Sequence, residues 1–175
     1  NAIGKRTELK AKHKDGRELD VELSLAALRF RKAWHAVGIV RDISERKKAE
    51  ERLYRLSITD TLTNAYNRRY FMQVLEQEIE RSRRTGLSFS VIMADLDHFK
   101  DINDIYGHQV GDGVLQDASR CLTSACRVYD FVGRYGGEEF IICLPGANII
   151  ETCNIAERMR NMLKEQRTVL ADNTE

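Results

Sequence analysis

Two apolar runs rich in β-forming residues flank a pair of glycines in the C-terminal half of the chain. The runs cover residues 130–135 (DFVGRY) and 140–144 (FIICL), and residues 136–139 between them read Gly-Gly-Glu-Glu. A two-residue glycine connection between such runs predicts a β-hairpin with a primed turn, because glycine adopts positive φ without steric cost. Glycine also lets a ligand approach the backbone closely. The hairpin therefore presents two adjacent carboxylates, which are either solvated surface charges or ligands of a metal.

A second pair of acidic residues follows a short apolar run upstream of the hairpin. Residues 89–95 (FSVIMAD) predict a buried strand that ends in Asp95, and Asp97 follows two positions later. Residues two apart point to the same face for as long as a strand continues. If this strand and the hairpin are neighbours in one sheet, their carboxylates converge into an oxygen-rich cluster of the kind that suits Mg²⁺ or Mn²⁺.

Several spaced motifs in residues 57–167 resemble the GGDEF family of diguanylate cyclases. Their agreement in order along the chain is more specific than any single motif. The motifs are 60–69 (DTLTNAYNRR, in which Ala65 and Tyr66 depart from the family's more usual residues), 95–100 (DLDHFK), 103–104 (ND), 107–108 (GH), 111–112 (GD) and 136–140 (GGEEF). The resemblance implies that the protein condenses two GTP molecules into cyclic di-GMP with release of pyrophosphate, each 3′-oxygen attacking the α-phosphate of the other molecule.

The resemblance implies a metal-dependent catalytic site. Mg²⁺, or Mn²⁺, would be held by Asp95, the backbone carbonyl of Leu96 and Glu138. Glu138 would also help to deprotonate the attacking 3′-hydroxyl, and Glu139 would support the metal site. A divalent metal in such a site acts as a Lewis acid, generates the nucleophile and orients in-line attack.

The resemblance also assigns residues to the substrate. Asn103 and Asp112 match the pair that reads guanine, since a carboxylate can accept hydrogen bonds from the N1–H and N2–H₂ groups of guanine. Adenine lacks this pair of donors, so Asp112 favours GTP. The phosphates are assigned to the backbone N–H groups of residues 97–100 and to the lysine ammonium in that loop. In addition to the guanine-reading pair, the resemblance assigns four residues to substrate binding: His98, Phe99, Lys100 and Arg134.

An arginine and an aspartate three residues apart precede the glycine pair. Arg127 and Asp130 match the family's product-inhibition pattern. Arginine can pair with a guanine edge or a phosphate, and aspartate can accept hydrogen bonds from guanine, so the two residues would bind cyclic di-GMP. An ordinary surface salt bridge is the alternative interpretation of this pair.

The N-terminal segment predicts antiparallel strands. Residues 17–28 and 33–40 are β-forming runs joined by short turns. Together with residues 38–47 (GIVRDISERK), they resemble the C-terminal half and exit motif of a PAS sensor domain, whose ligand the sequence leaves unknown. We expect Trp34 to be a structural aromatic and His35 to be a surface histidine, rather than contacts of a haem or flavin.

The highly charged segment 44–56 predicts a helical linker. Ala49, Leu53 and Leu56 have the four-then-three spacing of a coiled-coil seam. Two turns do not specify a dimer, so a single solvated helix is the alternative. Because the chemistry implied by the resemblance needs two active sites face to face, a homodimer is expected.

The remainder of the chain alternates helices and strands, and it predicts an α/β (α+β) fold. Helices are expected over about 68–84, 111–125 and 148–166, around strand 89–95 and the hairpin. This order of elements predicts a ferredoxin-like, palm-type βαββαβ unit that lacks its last strand. Residues 168–170 are the candidate beginning of that strand. The predicted parts are the C-terminal piece of a PAS domain, a helical signalling linker and a GGDEF domain, at residues 1–43, 44–56 and 57–175.

The predicted GGDEF domain lacks its final strand and helix. The family continues with a Ser-Ile-Gly strand and a helix that carries basic residues, and neither is found in the sequence. A sheet that lacks a strand exposes an edge and part of its core. We therefore expect the 175-residue chain to cyclise GTP poorly and a longer parent protein to be active.

The composition of the chain predicts its cellular location, its binding partners and the state of its cysteines. No apolar run approaches the length of a membrane span and the N-terminus has no signal-peptide layout, so we expect a cytoplasmic protein, which is compatible with a membrane anchor in a longer parent. A net charge of +1 with interspersed signs argues against non-specific nucleic-acid binding. The cysteines expected to be reduced core residues are Cys121, Cys126, Cys143 and Cys153.

Two other functions remain open at the level of sequence. A catalytically silent receptor would bind GTP or cyclic di-GMP, although the acidic residues and the lysine of the implied site are all present. A different palm-like nucleotidyl transfer, such as that of an adenylate cyclase or a polymerase, would use similar acids on a similar sheet. Asn103, Asp112 and the Arg127/Asp130 pair argue against this second alternative.

Overall fold

Turn-forming sequences between β-forming runs build an antiparallel sheet at the start of the chain. The computed structural model describes residues 6–166. Strands β1 (Arg6–Lys12), β2 (Glu18–Phe30) and β3 (Ala33–Asp42) lie side by side in sequence order, and both pairs are antiparallel. The two longer strands agree with the predicted ones. β1 was missed because charged residues dominate it and leave little apolar alternation.

The third strand of this sheet is exposed along its whole length. Trp34 is 72% exposed, so the expectation that it is a structural aromatic is wrong. None of the described residues covers this strand, and the indole ring therefore remains in solvent. His35 is a surface residue, as expected.

Helix α1 (Ser44–Ile58) follows the sheet directly and covers the predicted linker. Its start is capped by Asp42, whose Oδ1 accepts a hydrogen bond of 2.9 Å from the Ser44 N–H. The helix buries no residue. Leu53 and Leu56, two positions of the predicted seam, are 67% and 52% exposed. The chain divides within this helix into two compact units, residues 1–55 and 56–175.

The second unit is built on a mixed sheet of four strands. The strands are β4 (Tyr66–Asn67), β5 (Phe89–Asp95), β6 (Phe131–Arg134) and β7 (Glu139–Pro145). Their order across the sheet is β4-β6-β7-β5. β7 is antiparallel to both of its neighbours, and β4 is parallel to β6. Among the described strands β5 lies at an edge, and its Val91 and Met93 side chains are 42% and 52% exposed.

Four helices accompany this sheet. They are α2 (Arg68–Thr85), α3 (Phe99–Tyr106), α4 (His108–Ser124) and α5 (Ile149–Glu165). α2 and α5 agree with the predicted helices within a residue, whereas α4 begins three residues earlier than expected. α3 was not predicted, because eight residues are too few to display a helical period. The strand expected at residues 168–170 lies outside the described residues.

The sheet has a core on each face. On one face Phe71 of α2 is fully buried against Ile141 and Cys143 of β7. Gly133 of β6 makes this packing feasible, since a Cβ there would lie 2.7 Å from the Phe71 ring. The other face packs against α4 and α5, and its largest buried side chains are Phe99, Leu115, Leu122, Phe140, Ile142, Leu144, Ile155 and Met159. The predicted mixed α/β fold is confirmed.

The four cysteines are free thiols, but they do not all lie in the core. Cys121 and Cys143 are buried and Cys126 is partly buried, whereas Cys153 is exposed on α5. The expectation of a core position is therefore wrong for Cys153. Burial raises the pKa of the Cys143 thiol to about 12. No helix in residues 6–166 is both long enough and apolar enough to cross a membrane.

Candidate active site

The register of the sheet brings two of the predicted acidic residues face to face. β5 pairs with β7 so that Asp95 lies directly opposite Glu139. Glu138 is the residue immediately before β7. The strands that carry the two pairs of acids are therefore neighbours, as the convergence of carboxylates requires.

Asp97 lies outside the strand that carries Asp95. β5 ends at Asp95, and a turn separates it from helix α3. The sequence placed Asp95 and Asp97 on one face only for as long as the strand continues, and the strand does not continue to Asp97.

The connection between β6 and β7 is wider than the predicted two-residue turn. Arg134 and Phe140 are the last paired residues of the two strands, which leaves residues 135–139 between them. The Tyr135 N–H donates to the Glu139 carbonyl at 2.8 Å and closes the base of this loop. Neither Gly136 nor Gly137 has a positive φ. The primed turn predicted from the glycine pair is therefore wrong, although the hairpin itself is present.

The two glycines of this loop have different surroundings. A Cβ on Gly136 would lie 2.5 Å from Oε2 of Glu139, so the Glu139 carboxylate folds over this glycine. A Cβ on Gly137 would meet nothing within 4 Å, and the backbone there is open to an approaching ligand.

Arg134 holds the loop in place. Its Nε and one terminal nitrogen donate to the Gly137 carbonyl at 2.9 Å and 2.7 Å, and its other terminal nitrogen donates to Asp60 Oδ1 at 3.1 Å. The Arg134 side chain is only 17% exposed. Because all three guanidinium nitrogens already contact the protein, we infer a supporting role for Arg134 beside the predicted contact with substrate. The Arg134 guanidinium braces the wider loop through the Gly137 carbonyl.

Asp60 is the partner that sequence reasoning missed. It belongs to a recognised motif, but its ion pair with Arg134 joins residues 74 positions apart, which no local pattern indicates. Asp60 Oδ1 also accepts from the backbone N–H and the hydroxyl of Thr63, at 2.9 Å and 2.8 Å. Burial raises the pKa of Asp60, but the hydrogen bonds from Thr63 and Arg134 outweigh burial and leave this pKa below its ordinary value.

This ion pair predicts a pH dependence of stability. A lowered carboxyl pKa contributes stability that is fully present above the unfolded-state value of about 3.9 and is lost as pH falls through the folded-state pKa. Asp60→Asn is therefore expected to be less stable than the original chain at pH 7, with the difference shrinking below about pH 4. Urea unfolding of both proteins from pH 7 to pH 3 measures this. Asp104→Asn, at an exposed aspartate on α3, is the control; an Asp60→Asn difference that does not change with pH would contradict the assignment.

The acidic side chains at the sheet edge have no positive partner among residues 6–166. No ion pair between a described basic side chain and Asp95, Glu138 or Glu139 is formed. Like charges directly opposite each other across a strand pair are destabilising, so Asp95 and Glu139 favour a cation between or beside them. No three or more His, Cys, Asp or Glu side chains in residues 6–166 are arranged to hold a metal unaided. Magnesium is often held by one or two carboxylates together with substrate phosphates, and this all-oxygen donor set fits such a site.

The segment after β5 turns tightly into α3. The Phe99 N–H donates to the Leu96 carbonyl at 3.3 Å, and His98 lies in the left-handed region with φ of 58°. The Phe99 ring is 8% exposed and belongs to the core, so its predicted role in substrate binding does not extend to its side chain. Lys100 is exposed. N–H groups in the first turn of a helix lack helical partners, which leaves donors for an anion here.

The predicted guanine-reading residues lie on two adjoining helices. Asn103 is on α3 and Asp112 is on α4, and the Gly107 N–H donates to the Asn103 carbonyl at 2.9 Å where one helix passes into the next. The Asn103 side chain lies against Gly111, the neighbour of Asp112. Within the described residues neither side chain forms a hydrogen bond of its own. Their donors and acceptors are therefore available to a ligand.

Arg127 and Asp130 lie in a turn before β6. The Asp130 carboxylate accepts from the Arg127 backbone N–H at 2.7 Å, while the Arg127 guanidinium reaches the Tyr129 hydroxyl at 3.1 Å. The two side chains therefore do not form the surface salt bridge considered as an alternative. Both residues line a cavity of about 420 Å³ whose other walls include Asn64 and Tyr66.

Comparison with known proteins identifies the relatives of this chain. Residues 57–175 match the family model "Diguanylate cyclase, GGDEF domain". Diguanylate cyclase DosC of Escherichia coli K12 is 41% identical over 113 residues, which are 65% of this chain and 25% of DosC. The chain thus spans about a quarter of the length of this curated relative.

Solved structures agree with the family match. Diguanylate cyclase SiaD from Pseudomonas aeruginosa, solved with its activator SiaC, has a TM-score of 0.65 and 38% identity over 74% of this chain and 52% of SiaD. The coiled coil and GGDEF domain of DgcB from Caulobacter crescentus, solved with c-di-GMP, has a TM-score of 0.70 and 26% identity over 76% of this chain and 70% of that one.

Proposed function

Because the chain belongs to the GGDEF-domain family of diguanylate cyclases, we propose that it condenses two molecules of GTP into cyclic di-GMP. The observation that carries the proposal is the placement of Asp95 opposite Glu139, with Glu138 next to Glu139 in the chain and no basic side chain of residues 6–166 paired to any of the three. Such a site needs a cation and can take one together with a polyphosphate. We propose that the reaction takes place in the cytoplasm, where GTP is available.

The proposed metal ligands are Asp95, the Leu96 carbonyl and Glu138. When bound, Mg²⁺ or Mn²⁺ would neutralise charge on the phosphates and favour ionisation of the attacking hydroxyl. Glu139 supports these ligands from the opposite strand. Its carboxylate is held over Gly136, where any side chain would displace it.

Other residues hold the triphosphate and the base. Lys100 and the backbone N–H groups at the start of α3, with His98 in the turn, bind phosphate oxygens. Asn103 and Asp112 hydrogen-bond the guanine edge. Arg134 keeps the loop of residues 135–139 in position through the Gly137 carbonyl. The family resemblance supports the phosphate and guanine assignments, and the free donors and acceptors described above are compatible with them.

In the proposed reaction Glu138 accepts the proton of the 3′-hydroxyl of one GTP. The 3′-oxygen forms a bond to the α-phosphorus of the second GTP, and the bond from that phosphorus to the β-phosphate oxygen breaks. Pyrophosphate leaves with the electron pair. The same step in the opposite direction closes the ring, so two copies of the chain must face each other. The exposed Leu53 and Leu56 of α1 support a homodimer through a parallel pair of helices.

We propose two forms of control. The N-terminal sheet resembles part of a PAS sensor, and its signal would reach the catalytic unit through α1 in a bacterial signalling protein. Arg127 and Asp130 would bind the product beside the cavity that they line. The Arg127 guanidinium donates to the Tyr129 hydroxyl and forms no salt bridge with Asp130, which supports this proposal, since both groups keep hydrogen-bonding capacity for a ligand.

Incubation with Mg²⁺ and GTP, followed by chromatographic separation of the nucleotides, tests the proposed function. The assay uses the 175-residue chain and an extended chain that carries a family-like C-terminal strand and helix. We expect cyclic di-GMP and pyrophosphate from GTP, and no cyclic product from ATP. Tight binding of cyclic di-GMP by both proteins without any turnover would indicate a silent receptor and contradict the cyclase.

A further inference from the structure

Gly111 is in direct contact with the side chain proposed to read guanine. A Cβ built on Gly111 would overlap Oδ1 of Asn103, and it would lie 2.9 Å from Cγ of Asn103 and 3.3 Å from Cζ of Phe99. Gly111 is buried in the first half of α4, and Asn103 is partly buried on α3. Because Gly111 carries only a hydrogen in place of a Cβ, the Asn103 amide can occupy this space.

Helix geometry does not explain this glycine. Gly111 is not among the residues with positive φ, and alanine is a better helix former than glycine by close to 1 kcal/mol. Gly113 lies two residues further along the same helix, and a Cβ there would meet nothing within 4 Å. The two glycines therefore have the same intrinsic cost, but only Gly111 has a neighbour that requires it.

From this contact we propose that Gly111 is a positioning residue for guanine selectivity, because it sets where the Asn103 amide lies beside Asp112. The inference rests on the proposed function, since it concerns the same nucleotide site. An added methyl group would not force the two helices apart, because the atoms that it meets first are the end of the Asn103 side chain. The Phe99 ring lies 3.3 Å from the same Cβ position, so the methyl group is itself confined and the Asn103 amide must rotate away. The effect is therefore on recognition of the base and not on folding.

Binding of 3′-deoxy-GTP and 3′-deoxy-ATP tests the proposal, because these nucleotides differ in their base and lack the attacking hydroxyl. We expect Gly111→Ala to weaken binding of 3′-deoxy-GTP by about ten-fold or more, the size of a lost pair of base contacts, and to leave binding of 3′-deoxy-ATP unchanged. Gly113→Ala is the matched control and should bind like the original chain. The thermal unfolding midpoint of Gly111→Ala should not fall below that of the original chain, because alanine is the better helix former.

A double-mutant cycle separates positioning from general distortion. If Gly111 acts through Asn103, Gly111→Ala should cause no further loss of guanine affinity in the Asn103→Ala background. A further loss there, or retained guanine preference in Gly111→Ala alone, would overturn the inference while leaving the proposed function intact. An original chain that binds both nucleotides equally, or binds neither, would overturn the proposed guanine site and this inference with it.

Discussion

Glu138→Gln is expected to abolish formation of cyclic di-GMP while the fold is retained. Glutamine has the same size, but it neither accepts the proton of the 3′-hydroxyl nor contributes a negative charge beside Asp95 and Glu139. Loss of a general base alone costs about 10² to 10⁴ in rate, and loss of a metal ligand adds to this. The measurement is the initial rate of cyclic di-GMP formation from GTP and Mg²⁺ in the extended chain.

The control for this variant is Glu157→Gln on α5, where the carboxylate pairs with Arg160 at the surface. It removes the same charge, and we expect it to cyclise GTP at the original rate. Both variants should unfold at similar urea concentrations, which shows that any difference is chemical. Cyclase activity in Glu138→Gln within a few-fold of the original would contradict the role assigned to Glu138.

Phe71→Ala is expected to lower the free energy of unfolding by about 3–5 kcal/mol, the range for truncation of a buried phenylalanine. Phe71 is fully buried, and its ring lies against Phe131 with the two ring centroids 5.8 Å apart. It also fills the space above Gly133, where the three atoms nearest to the position of a Cβ all belong to Phe71. The resulting cavity would lie between α2 and the sheet. Urea unfolding followed by circular dichroism measures the loss.

Met72→Ala provides the comparison, because Met72 is the next residue of α2 and is 38% exposed. Its truncation should cost much less, since less apolar surface is returned to water. Equal effects of the two substitutions would show that α2 does not pack on the sheet through Phe71. A change in the slope of the unfolding curve, rather than in its midpoint, would point instead to an altered denatured state.

The sequence predicted structure and function best where the signal lies within a few neighbouring residues. Strand β5 was recognised because five of its seven residues are apolar and stand close together, and α2 because Phe71, Val74, Leu75 and Ile79 recur at helical spacing. The spaced motifs identified the family and nominated the acidic residues. These features are properties of a few neighbouring residues, so no knowledge of the rest of the fold was needed.

The structure differs from the sequence-based expectation where distant residues or the end of an element decide the geometry. The glycine pair predicted a two-residue turn, but the loop is wider, and Arg134 links its Gly137 carbonyl to Asp60. Asp97 falls outside the strand that ends at Asp95, because a turn leads from there into α3. Phe99, assigned to the substrate from its place in a motif, packs its side chain into the core.

Only the tertiary structure shows which of the predicted functional side chains lie close together. Asp95 meets Glu139 only through the β5–β7 register, Asp60 meets Arg134 across 74 positions of sequence, and Asn103 meets Gly111 where two helices pack. Such pairs depend on the packing of whole elements, which stabilises contacts between residues that share no local pattern. The residue types therefore specify what chemistry the chain can perform, and long-range packing specifies which atoms are close enough to perform it.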